Sequence, residues 1–145
     1  MAESVEQRIV DNILGSLRRT DVNGVDEGQP PIDPREKNLP WAWVDFEEAE
    51  RTPHGTKHTQ IELRCGVLVG YRASDEPKAL RMARHIRAQG ETALLTDDRR
   101  GLTNPQTEIQ THILGQSGED LWAVEVPVTI TFQHVRGNPY DEGVI

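Results

Sequence analysis

The chain has 145 residues, 35% of them hydrophobic and 28% charged, with 16 basic against 24 acidic groups for a net charge of -8, and its mean hydropathy is -0.62. A chain of this size can bury a core of its own without disulfide or metal staples. No apolar run approaches the ~20 residues of a membrane helix, the charged opening Glu3, Glu6 and Arg8 is unlike a signal peptide, and the single Cys65 excludes an intrachain disulfide and a four-cysteine zinc centre.

The acidic balance argues against a free-standing nucleic-acid binder, whose affinity comes from Lys and Arg neutralising phosphates. The charge is also segregated: residues 1–50 hold 5 basic and 12 acidic groups, 51–100 hold 10 and 6, and 101–145 hold 1 and 6. Opposite-sign faces on one domain suit self-association or docking, with intramolecular pairing as the plainer account.

Ser4 to about Arg19 forms an amphipathic helix, with Val5, Ile9, Ile13 and Leu17 on one face beside Val10 and Leu14, and Ser4 as the capping residue. Residues 20–40 are a long connection rich in Gly, Pro, Asp and Asn, of the kind that is usually functional or partly disordered. Trp41 to Phe46 then predicts a short strand, which Glu47-Glu48-Ala49-Glu50 and Pro53-His54-Gly55 interrupt. Thr59 to Arg72 alternates throughout and predicts a strand of about twice the usual length, bending at Gly66 or Gly70 or projecting beyond the domain.

Ser74-Asp75-Glu76-Pro77 starts a second helix that runs to about Leu95. Its buried face carries Ala79, Met82, Ala83, Ile86, Gly90, Ala93 and Leu94, with Gly90 packed closely on a sheet, and the opposite arc carries Lys78, Arg81, Arg84, His85 and Arg87. After a turn segment from Thr96 to Pro105, Thr107–Leu114 predicts a strand, Gln116–Asp120 a hairpin turn and Leu121–Val135 a second long strand. Pro127 cannot donate to a ladder and so suggests an edge position or a bulge. The expected architecture is α+β, a mostly antiparallel sheet of about four strands with two helices on one face, in the order α-β-β-α-β-β.

The residues that could carry chemistry do not converge. His54 and His58 have a possible metal-ligand spacing, but Pro53 and Gly55 on either side of His54 argue against a helical i,i+4 presentation, and no third ligand is close in sequence. Asp21-Val22-Asn23-Gly24-Val25-Asp26 opens like a calcium loop but has Val25 at the fifth position, Asp26 at the sixth and Ile32 at the twelfth. Cys65 lies on an alternating apolar face, where an inert thiol is expected, and Asp97-Asp98 beside Arg99-Arg100 read as solvated turn charges. No nucleophile elbow, Walker loop or dinucleotide fingerprint occurs. The expectation is therefore a non-enzyme with no catalytic, cofactor-binding or metal-binding residues. The basic arc reads as a solvated helix face, as a nucleic-acid surface or, best suited to the charge map, as a face that meets acidic groups of a neighbouring copy. Trp41 and Trp43 are core residues or interface anchors.

The ordered set Ser4–Leu17, Ile61–Tyr71, Ser74–Leu95 and Trp122–Tyr140, the last ending in Phe132-Gln133-His134-Val135-Arg136-Gly137-Asn138-Pro139-Tyr140, resembles the tail terminator (tail completion) proteins of long-tailed bacteriophages. The extended 20–40 loop and the paired tryptophans depart from that pattern. The resemblance implies a single tail-terminator-like domain over 1–145, with a long loop at about 20–40 and an extended tail at about 136–145. It implies a virion protein at the tail-neck junction, assembled in the bacterial cytoplasm as a hexameric ring. Such a ring caps the tail tube protein and joins a head-completion or neck protein, while DNA passes through its lumen without specific binding and no membrane is involved. The candidate contact residues are Trp41, Trp43, Lys78, Arg81, Arg84, Arg87, Arg136 and Tyr140. The competing expectation is a monomeric α+β adaptor that binds a peptide by strand addition, and a small hydrolase would need a deep pocket with converging polar groups.

Overall fold

A computed structural model describes residues 3–96, 102 and 105–143. Two helices lie on one face of a six-stranded, mostly antiparallel sheet. Helix α1 spans Val5–Leu17, β1 Gly24–Glu27, β2 Trp41–His54, β3 His58–Arg72, α2 Glu76–Thr96, β4 Gln106–Ile109, β5 Ile113–Gln116 and β6 Leu121–Val135. The spatial order is β1-β2-β3-β6-β4, and β5 also pairs with β6. The α+β layering expected from the sequence is present, with six strands in place of four.

The two long alternating segments form the centre. β3 and β6 pair antiparallel from His58↔Val135 to Arg72↔Leu121 without a register shift, so the ladder runs unbroken past Gly66 and Gly70. Because side chains alternate across a strand, one face receives Ile61, Leu63, Cys65, Val67, Val69 and Tyr71 from β3. The same face receives Trp122, Val124, Val126, Val128, Ile130 and Phe132 from β6, and all twelve side chains are buried. The length of these strands is taken up by pairing with each other.

β2 is the largest departure from expectation. The acidic stretch and Pro53-His54 do not interrupt it; they continue the strand to His54, where it turns at Gly55 (φ +69°) into β3. The only trace of the interruption is a bulge between Glu48 and Glu50. The 20–40 connection contains β1, which pairs parallel with β2 from Gly24↔Trp41 to Glu27↔Val44. Parallel neighbours need a crossover of a dozen or more residues, and residues 28–40, with a 3-10 turn at Pro34–Glu36, supply it.

The predicted strand Thr107–Leu114 is two short strands, β4 and β5, placed end to end along β6. Pro127 explains the break. Its carbonyl accepts the Gln110 N–H at 2.9 Å, so its backbone polar atoms face this side, and its missing N–H falls between Glu125, which pairs with Ile113, and Val128, which pairs with Ile109. Pro127 thus sits in an interior strand, at the gap in that strand's partner.

Both helices follow their sequence signals. Ser4 Oγ accepts the Gln7 N–H at 3.0 Å at the start of α1, and Asp75 Oδ1 accepts the Lys78 N–H at 2.9 Å at the start of α2. α1 buries Val5, Ile9, Val10, Ile13, Leu14 and Leu17. α2 is thinner at its contact: Ala79, Ala83 and Leu94 are buried, while Met82, expected in the core, is 37% exposed. Gly90 does not pack closely; a Cβ there would meet nothing within 4 Å, and it borders a small void of about 20 Å³ with Leu17, Val22, Ile86 and Leu94. The Tyr71 hydroxyl donates to Ala79 O at 2.7 Å and ties β3 to α2, and burial raises its pKa to about 12.

Residues 136–143 turn back on the distal end of the sheet. The Arg136 N–H donates to Lys57 O, and the Val5 N–H donates to Pro139 O, each at 2.9 Å. The β2–β3 hairpin tip, the end of β6 and the start of α1 are thereby joined. Asp97, Asp98, Arg99 and Arg100 lie outside the described residues.

Candidate assembly surfaces

Because both helices cover one side of the sheet, the other side is uncovered along most of its length. The same alternation that buries Val67 and Val128 sends Asp45, Glu47 and Glu50 of β2, Glu62 of β3, Glu108 of β4 and Glu125 of β6 to that open side. Arg64 of β3 lies among them, opposite Glu47, and Arg72 shares the face at the end of β3, where it pairs with Asp120 at 2.8 Å. Register sets Glu50 directly opposite Glu62, an arrangement of like charges that costs stability. An open groove of about 560 Å³ crosses this face, with Gly66 and Pro127 in its floor and Asp45, Glu47, Arg64 and Glu125 along it.

The tryptophans organise one end of the open face. Trp43 is 3% exposed and packs over Gly70 and beside Leu39, a Cβ on Gly70 coming within 3.1 Å of its ring. Trp41 is half-buried. Its indole N–H donates to Asp26 Oδ2 at 3.1 Å, the Lys37 ammonium lies 3.2 Å from that same oxygen, and the ammonium stands 4.9 Å from the ring centroid, within cation–π range. Asn23 closes the loop from below, its amide donating to Asn38 O at 3.0 Å and Leu39 O at 3.1 Å. Both tryptophans hold the crossover loop onto the sheet, and Trp43 has almost no surface left to offer a partner.

On the opposite side of the molecule, α2 turns a basic arc outward. Lys78, Arg81, Arg84 and His85 are exposed, and the stretch from Pro77 to Gly90 contains no acidic residue. His85 Nε2 lies 3.2 Å from Asp21 Oδ2, and this contact with His85, followed by one with Gln89, holds the Asp21 carboxyl below its usual range. Lys78 contacts Ser74 Oγ at 3.0 Å. Lys78, Arg81 and Arg84 form no ion pair among the described residues. Arg87 does not belong to the arc: it lies nearer the buried side of α2 and is engaged with Glu91 at 2.9 Å. Arg136 and Tyr140 lie together in the C-terminal turns, both exposed, far in sequence from the arc.

A small titratable group sits where α1 meets the distal sheet. Burial raises the Glu6 pKa, Glu48 raises it further, and Arg51 and His134 act against them. Glu48 is held low by its hydrogen bond to Arg51, at 2.7 Å. The side-chain nitrogens Trp122 Nε1 and His134 Nε2 are buried without partners among the described residues. Cys65 is buried as expected, and no group of three or more His, Cys, Asp or Glu able to hold a metal ion occurs among the described residues.

The fold defines an α+β two-layer domain with an acidic open sheet face on one side and a basic outer arc of α2 on the other. No helix among the described residues is long and apolar enough to cross a membrane. No protein-family model matches the chain, and no curated protein matches it either.

Proposed function

We propose that the chain is a structural component of a long-tailed phage virion, a ring-forming tail terminator that caps the tail tube and presents its other surface to the head-completion or neck protein. The observation that carries the reading is the placement of opposite charge on opposite sides of one layered domain. Such a molecule is complementary to copies of itself head to tail, and a head-to-tail contact closes into a ring when its rotation permits. The order of elements that resembles the tail terminator family supports the choice of ring over other assemblies.

The adaptor reading rests on strand addition at a free edge, and β2 beyond Val44 has one. That edge carries a bulge, alternating charges and Pro53, the devices that block edge pairing. Self-association through faces therefore has better support than recruitment of a strand.

Negative-stain electron microscopy of the purified chain over a range of concentrations, with isolated tail tubes added in a second series, tests the reading. Closed rings of six copies that bind tube ends are expected. Open filaments, or a monomer that leaves tube ends bare, would overturn it and favour the adaptor.

A further inference from the structure

Glu50, Glu62 and Glu125 on one face and Lys78, Arg81 and Arg84 on the other form no ion pair among the described residues, and the two absences have a common explanation. From this juxtaposition we infer that the open face of the sheet is the receptor for the basic outer arc of α2 from a second copy of this chain, with Lys78, Arg81 and Arg84 of one copy seated over Glu50, Glu62 and Glu125 of the next. The inference rests on the self-association in the ring reading and supplies the contact that the reading leaves unspecified.

Three observations support it. Glu50 and Glu62 are held opposite each other by backbone register, so their repulsion is built into the isolated chain, and a cation placed over both relieves it. Lys78, Arg81 and Arg84 find no carboxylate among the described residues of their own chain, although eight more acidic than basic residues are present overall. The open groove on this face is lined by Glu62 and Glu125 with Gly66, Pro127 and Arg64 between them, and the Glu125 carboxylate lies over Gly66, which has no side chain to stand in the way of a cation. A same-face contact between two copies would set acid against acid or base against base, so the pairing is necessarily head to tail. Binding of nucleic acid to the α2 arc would leave the acidic face without a role.

A reciprocal charge swap tests the contact. Light scattering after size exclusion would follow the wild type, Arg81→Glu with Arg84→Glu, Glu50→Lys with Glu62→Lys, and an equimolar mixture of the two double variants. Circular dichroism would confirm that each folds. Each variant alone should need a concentration about tenfold or more above the wild type's to assemble. The mixture should recover the wild-type oligomer, because every interface in an alternating assembly again joins opposite charges. Raising ionic strength should weaken the wild-type oligomer.

The inference is overturned by variants that assemble like wild type, by a mixture that fails to recover, or by a wild-type chain that is monomeric at every concentration. The two readings fail separately. Rings indifferent to the swaps would remove this contact and leave the ring reading standing. A swap-dependent oligomer that is an open filament would keep the contact and remove the ring.

Discussion

The two faces of one strand behave as different materials. On the covered side of β6, Trp122, Val124, Val126, Val128, Ile130 and Phe132 are all 7% exposed or less. One residue away at each step, Ala123, Glu125, Pro127, Thr129, Thr131 and Gln133 look out over the groove side. Backbone pairing is shared by both faces, so the difference lies entirely in what the side chains meet: a helix layer on one side and solvent on the other. The covered face holds the fold together, and the open face is free to carry charge arrangements that the isolated fold does not need.

The sharpest test of that contrast compares neighbours. Phe132→Ala should cost about 3–5 kcal/mol in chemical denaturation, the usual loss for a fully buried aromatic ring, whereas Thr131→Ala on the open side should stay within about 0.5 kcal/mol. Similar losses at both positions would mean that the open face is packed against something in the folded monomer.

The glycines extend the comparison. Gly24→Ala should cost about 1–3 kcal/mol, because a Cβ at Gly24 would lie 2.2 Å from the Trp41 ring that pins the crossover loop. A shift in tryptophan fluorescence should accompany it. Gly90→Ala should instead raise stability by about 1 kcal/mol, since alanine favours the helix and the space beside α2 is open. A loss at Gly90 would show that the helix lies closer to the sheet than described.

The smallest expected effect is a pH dependence at the seam between α1 and the sheet. Burial raises the folded pKa of Glu6 above the ordinary glutamate range, so it imposes no penalty at low pH and becomes a cost as pH rises through its folded value. Glu6→Gln should therefore be more stable than wild type at neutral pH and indistinguishable from it below the unfolded pKa. Glu48 runs the other way: Arg51 lowers its folded pKa, and its contribution, present above the unfolded value, is lost as acid protonates it. Thermal melts of wild type, Glu6→Gln and Glu48→Gln across pH separate the two.

The sequence by itself determined the elements whose side-chain periodicity is strong. Both helices, β3, β6 and the α+β layering were legible because burial imposes a period on apolar residues, and that period is a local property of the chain. Elements held by hydrogen bonds to a distant neighbour were not legible. The distal half of β2 is polar on both sides and is a strand because Glu47 to His54 pair with His58 to Arg64, and β1 depends on β2 in the same way; the strand over Thr107–Leu114 was legible, but its division into β4 and β5 was set by Pro127 of β6. The basic arc of α2 could be read from helical spacing, apart from Arg87, whose place near the core depends on how the helix is turned. The acidic face could not. Glu50, Glu62, Glu108 and Glu125 come from four strands, and only the tertiary register, set by backbone pairing, brings carboxylates so far apart in the chain onto one surface.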